Sequence, residues 1–154
     1  MRREPRKLER WRSLAARERW LLVRAAMLLS VTTALLHVVG FRWTRRIVAG
    51  SNAGIAAGEI DSHGIATAER IGRLVDVAGR RGLVAARCLP RALVLCRLLR
   101  QHGMPAQLRI GVGKASDELF AHAWVEIGSH AVNEPESTLM RYAAYETLDP
   151  IKGV

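Results

Sequence analysis

Arg87-Cys88-Leu89-Pro90-Arg91-Ala92-Leu93-Val94-Leu95-Cys96-Arg97-Leu98-Leu99-Arg100 is the stretch on which the reading of this chain turns. Leu89, Ala92, Leu93, Cys96 and Leu99 recur at helical spacing, so the segment reads as a helix with a buried apolar face. Pro90 falls in its first turn, where the N–H groups lack intrahelical partners and a proline is tolerated. The pattern ends near Gln101-His102, with Gly103 as the stop and Pro105 beyond it. Cys88 therefore stands at a helix N-terminus between Arg87 and Arg91. The positive end of the macrodipole and nearby cations favour thiolate over thiol, which is where a nucleophilic cysteine belongs. Cys96, the only other cysteine, lies eight residues further on, about 12 Å along a helix. That exceeds the roughly 7 Å a disulfide can bridge, so Cys96 reads as a small buried hydrophobe and a reducing, cytoplasmic setting suits both thiols.

Working back from the cysteine, Gly79-Arg80-Arg81-Gly82 breaks a helix that Asp61 or Ser62 can cap. Ile65, Ala68, Ile71, Leu74, Val75 and Ala78 form its apolar face. Residues 47–61, rich in glycine, read as a connector, and residues 1–19, with mixed charges, as a solvated helix. The run from Trp20 to Phe41 is the most apolar in the chain. Its charge-free part, Ala25 to Phe41, falls short of the roughly 20 residues that span a bilayer, so a buried or membrane-surface helix is expected. Arg42, Arg45 and Arg46 beside Phe41 and Trp43 suit an interface and leave peripheral membrane contact open.

Forward of the cysteine the period changes. Gln107 to Val112 alternates as a half-buried strand does, residues 113–118 read as a polar loop, and Leu119 to Ile127 as a second strand. Gly128-Ser129 suits a tight hairpin turn before a third strand from His130. A last segment is anchored by Leu139, Tyr142, Tyr145 and Leu148. The expected fold is α+β: helices, then a small antiparallel sheet against the cysteine helix. At 154 residues the chain suits one compact unit, with 1–60 a helical lead-in and 61–154 the core. Its net charge of +10 rests on arginine and by itself selects no partner.

On the second strand His122, Trp124 and Glu126 share one face, while Ala121, Ala123 and Val125 share the other. A returning third strand brings Asn133 and Glu134 alongside. Thiolate, imidazole base and orienting acid are what nucleophilic catalysis by cysteine needs, and Cys88, His122 and Glu134 supply them in that order. The remaining histidines, His37, His63, His102 and His130, show no metal-ligand spacing.

Cys88-Leu89-Pro90-Arg91-Ala92-Leu93, Gly103 to Val112, and above all Ala121-His122-Ala123-Trp124-Val125-Glu126 resemble the leader-peptidase domain of lasso-peptide biosynthesis, within the transglutaminase-like, papain-related cysteine superfamily. The apolar lead-in from Glu18 to Arg46 resembles the helical start of that family. The resemblance implies Cys88 as nucleophile, His122 as base and then acid, and Glu134 as third member where the family often has aspartate, with Asn133 as its fallback. It implies hydrolysis of a precursor's leader peptide before a separate cyclase closes the macrolactam ring. No winged-helix recognition domain is evident ahead of the helices, so a separate leader-binding protein is expected as partner. ATP has been associated with maturation in that family, but Gly111-Val112-Gly113-Lys114 lacks the P-loop spacing, and no cofactor, metal or nucleic acid is expected. The rival readings are acyl transfer to an amine by the same site and a non-catalytic basic binding protein on the same scaffold.

Overall fold

The structure, a computed structural model, describes residues 15–49, 60–81, 86–115, 118–135 and 143–145. Four helices come first: α1 (Ala16–Val38), α2 (Gly40–Ala49), α3 (Ser62–Arg81) and α4 (Cys88–Gln101). Four strands follow: β1 (Ala106–Ala115), β2 (Glu118–Ile127), β3 (His130–Ala131) and β4 (Ala143–Tyr145), in the order β3-β2-β1-β4 with every pairing antiparallel. This is the α+β arrangement that the pattern predicts.

Helix α4 is the centre of the molecule. The sequence reads it as apolar on one face, yet Ala92, Leu93, Val94, Leu95, Cys96, Leu98 and Leu99 are all buried. The reason is its position between two layers. Helices α1, α2 and α3 pack on it from one side, and β1 and β2 from the other, so little of its circumference meets water. Each leucine so enclosed contributes about 1.5–3 kcal/mol through burial. The α3 residues Ala68, Ile71, Leu74, Val75 and Ala78 are buried, as the spacing predicts. The cap is Asp61, whose Oδ1 accepts the Gly64 N–H at 2.8 Å.

Charged side chains tie the helices together. Arg97 of α4 donates to the carbonyls of Ile47 and Val48 at 3.1 and 3.0 Å, satisfying the last turn of α2. Glu18 Oε2 accepts the Ala15 N–H at the start of α1, and its Oε1 accepts Arg70 Nε of α3 at 2.8 Å. The Arg70 hydrogen bond, reinforced by the Ala15 N–H, holds the Glu18 carboxyl below the usual carboxylate range.

Helix α1 corrects the length argument drawn from its charge-free part. It runs 23 residues and is long and apolar enough to cross a membrane by length and composition. Arg24 does not end it, because its guanidinium reaches sideways to Gln101 Oε1 at 2.8 Å. Ala25, Leu29 and Thr32 are buried in the body of the protein.

The strands carry two further corrections. The polar segment read as a loop from Gly113 to Glu118 is mostly strand, since Lys114 pairs with Leu119 and Ala115 with Glu118. Backbone pairing of hairpin arms does not require side-chain alternation. The expected last segment includes β4, which pairs with β1 through Ile110 and Tyr145; Leu139, Tyr142 and Leu148 lie outside the described residues, as do residues 1–14 and 50–59. Gly103 and Gly128 have φ of 76° and 60°, a conformation only glycine adopts without strain. They provide the predicted helix stop and the two-residue hairpin turn.

Candidate active site

Cys88 is the first residue of α4, half-buried against the core. Arg87 precedes it with no side-chain cap, and the first backbone bond of the helix is Arg91 N–H to Arg87 carbonyl at 3.4 Å. The N–H groups of Cys88 and Leu89 thus belong to the unpartnered first turn of a helix. Arg91 does not stand guard over the thiol. Its Nη1 lies 3.7 Å from Asp76 Oδ1, so its charge is directed to α3.

Cys96 is fully buried, and its Sγ lies 3.5 Å from the Ala106 carbonyl. Burial pushes its thiol pKa up, against the smaller opposing influence of Arg100 and Arg45. Both cysteines are free thiols.

His122 lies on β2, with Nε2 3.0 Å from Glu134 Oε1, and both side chains are mostly buried. The contact has the length of a charge pair without the alignment of a straight hydrogen bond. Asn133, the alternative orienting group, is otherwise engaged. Its Oδ1 accepts the Val125 N–H at 3.0 Å, next to the Val132 N–H to Val125 carbonyl bond at 2.9 Å. Asn133 therefore continues the sheet where β3 ends, and this turns the following Glu134 toward His122.

The relation of Cys88 to His122 follows from the layer geometry. Ala106, at the start of β1, is held by the last turns of α4: its carbonyl accepts Arg100 Nε at 2.9 Å. From Ala106 to Gly111, the register partner of His122, is five residues, about 17 Å of strand. From Arg100 back to Cys88 is twelve residues, about 18 Å of helix. β1 thus leads from the last turns of α4 to the position opposite His122. The pleat, however, turns its side chain to the face opposite Ala123, Val125 and Ile127, which join the core with α4. No hydrogen bond joins Cys88 to His122. The structure brings the histidine to Glu134.

Sequence reading missed what lies beneath the histidine. Trp124 Nε1 donates to Glu126 Oε1 at 2.7 Å, and Arg109 Nε to Glu126 Oε2 at 2.7 Å. The Trp124 ring stacks beside the imidazole, centroids 6.2 Å apart and planes 20° from parallel. Trp124 is only 2% exposed although it lies outside the α4 core. The shared strand face of His122, Trp124 and Glu126 is visible in the sequence. Arg109 is not, because its place depends on the β1–β2 register, in which Arg109 faces Trp124. A cleft of ≈ 380 Å³ opens between α3 and the segment from His130 to Pro135, with Glu69, Arg73, Asp76 and Glu134 on its walls.

A helix beginning with cysteine, packed on an antiparallel sheet that carries a histidine beside a carboxylate, holds the residue types that thiol-dependent acyl chemistry uses. Residues 27–147 match a protein family described as the transglutaminase-like superfamily, and the chain belongs to it. No curated protein and no solved structure matches the chain. The superfamily suggests activity of the cysteine peptidase or acyl-transferase type.

Proposed function

We propose that this protein is a cysteine peptidase that removes the leader from a ribosomally made precursor of the lasso-peptide type, ahead of macrolactam closure. The observation that carries this reading is the His122–Glu134 pair, 3.0 Å apart, in a chain whose cysteine Cys88 begins a helix packed on the same sheet. In the reaction, Cys88 as thiolate attacks the scissile carbonyl. The backbone N–H at the start of α4 faces the developing oxyanion. His122, made the imidazolium by taking the thiol proton, gives that proton to the leaving amine. It then draws a proton from the water that releases the acyl group and regenerates the thiol. Glu134 orients the ring and stabilises its cation. Ligand-free sites often hold catalytic partners at longer distance than the working complex does. In this reading a separate leader-binding protein delivers the precursor, a cyclase takes the product, and the free thiols suit the cytoplasm.

The test is the product mass of the precursor peptide incubated with the protein and the leader-binding partner. Leader and core that together carry one added water support hydrolysis; a product carrying an added amine makes the protein an acyl transferase. Cleavage by Cys88→Ala refutes both. A second reading, a non-catalytic binding protein on this scaffold, is favoured by the pleat, which turns His122 to the sheet face away from the Ala123, Val125 and Ile127 that pack on α4. Iodoacetamide separates it from catalysis: fast labelling of Cys88 that His122→Ala slows supports the catalytic pair, and equal slow labelling supports the binding protein.

A further inference from the structure

Helix α1 presents an apolar line to the outside that nothing in the described structure covers. Trp20, Val23, Met27, Val31 and Val38 follow one another at intervals of three, four, four and seven residues along its outer side. Met27 is 66% exposed and Val38 81%. The line continues onto α2 through Trp43, 61% exposed, and Ile47. Single exposed apolar residues are ordinary, whereas a continuous patch marks a contact surface.

The charge along this line is mostly positive. From Arg19 to Ala49 the two helices carry five arginines and no aspartate or glutamate, and Glu18, in the first turn of α1, is turned to Arg70 of α3. A guanidinium lies over the tryptophan near each end, Arg24 5.0 Å from the Trp20 ring and Arg46 6.0 Å from that of Trp43. A second copy of this chain would set cationic rim against cationic rim, whereas anionic lipid headgroups complement it. Tryptophan and arginine flanking an apolar face are what a helix lying in the headgroup region offers.

We infer that the outer face of α1 and α2 docks this protein on an anionic membrane surface. The helices lie along the bilayer and do not cross it, because the inner side of α1 keeps Ala25, Leu29 and Thr32 packed in the body of the protein. Arg42 and Arg46, both exposed, reach the headgroup phosphates while Trp43 and Ile47 enter the acyl boundary. The inference stands on this surface alone and is independent of the proposed activity.

The experiment is partition of the full chain onto phosphatidylcholine vesicles with and without phosphatidylglycerol, read by sedimentation. The double variant Met27→Gln, Val31→Gln removes apolar contact without changing charge or touching the core. Expected is binding that requires phosphatidylglycerol, is weakened by salt, and falls about tenfold or more in the double variant, with circular dichroism unchanged. Quenching of Trp20 and Trp43 emission by brominated acyl chains, lost on Trp43→Phe with Trp20→Phe, gives a second readout on an intact fold. No partition overturns the inference. So does undiminished binding by the double variant, which makes charge alone responsible, and so does resistance to carbonate extraction, which means a spanning helix. A dimer that the double variant dissociates, without vesicle binding, assigns the face to a second copy instead.

Discussion

The two sides of α4 handle polarity in opposite ways. On the sheet side, polar groups on the face away from α4 are matched within the chain: His122 with Glu134, Trp124 and Arg109 with Glu126, and Asn133 with the Val125 N–H. On the far side, α1 and α2 turn apolar residues outward, with arginines beside them and Glu18 as their one acidic residue, turned to Arg70 of α3. Buried polar groups need partners close at hand, so a matched network marks work done inside the molecule. Nothing among the described residues covers the apolar surface of α1 and α2, which is why the docking inferred above places its partner outside the chain.

The strongest test of this contrast is at the histidine. His122→Ala and Glu134→Gln should cut leader cleavage, by at least about a hundredfold for the latter, as loss of a catalytic histidine's orienting acid does. Vesicle binding should stay within experimental error for both. Asn133→Ala should behave differently, lowering stability by about 1 kcal/mol while Glu134 still sets the rate. If Asn133→Ala instead damages turnover as much as Glu134→Gln, the two neighbours do not divide the work as the hydrogen bonds indicate.

The contrast also predicts a difference in urea denaturation. Leu95, 1% exposed on α4, should cost roughly 2–5 kcal/mol when changed to alanine. Met27→Ala, on the outer line, should stay within about 0.5 kcal/mol. Equal losses would mean that the α1 line is covered in solution.

Cys96 provides a pH test of the buried helix. Burial raises its pKa, so the folded protein holds the thiol proton more tightly than the unfolded chain does. Its contribution is whole below the unfolded thiol value of about 8.5 and is lost as pH rises from there through the folded value. Thermal melts from neutral to alkaline pH should show a decline that Cys96→Ala lessens, and iodoacetamide should leave native Cys96 unlabelled while Cys88 reacts.

The smallest effect belongs to Glu18. Its pKa is lowered in the folded protein by Arg70 and the Ala15 N–H. Its stabilisation is therefore present above the ordinary carboxylate range and lost as pH falls through the folded value. The pair is open to solvent, so salt should weaken it. Acid melts of Glu18→Gln against the parent, at low and high salt, measure it.

Much of this was legible in the order of residues. The helical period of Ile65 to Ala78, the stop at Gly103 and the hairpin at Gly128 depend on local rules, and each stands where the pattern sets it, whereas the helix expected to break at Gly79 runs on to Arg81. His122 and Glu134 were readable as neighbours because a two-residue turn fixes the register that follows. What was hidden depends on contacts distant in sequence. The centrality of α4 arises from helices packing on one side and strands on the other, so its all-round burial exceeds its apparent stripe. Arg91 turns to Asp76 fifteen residues away, and Arg109 finds Glu126 only through the strand register. The outward face of α1 was hidden for another reason: a helix apolar all round does not announce which side is covered.

The hairpin that carries His122 has a kinetic consequence. Cys88 begins α4, His122 lies on β2, and Glu134 follows the short strand β3. Contacts that are near in sequence close quickly because little loop entropy must be overcome first. The half of the protein that holds the histidine and its acid is therefore suited to early assembly. The docking of α1 on α3, through Glu18 and Arg70, fifty-two positions apart, closes a longer loop and is expected to come later.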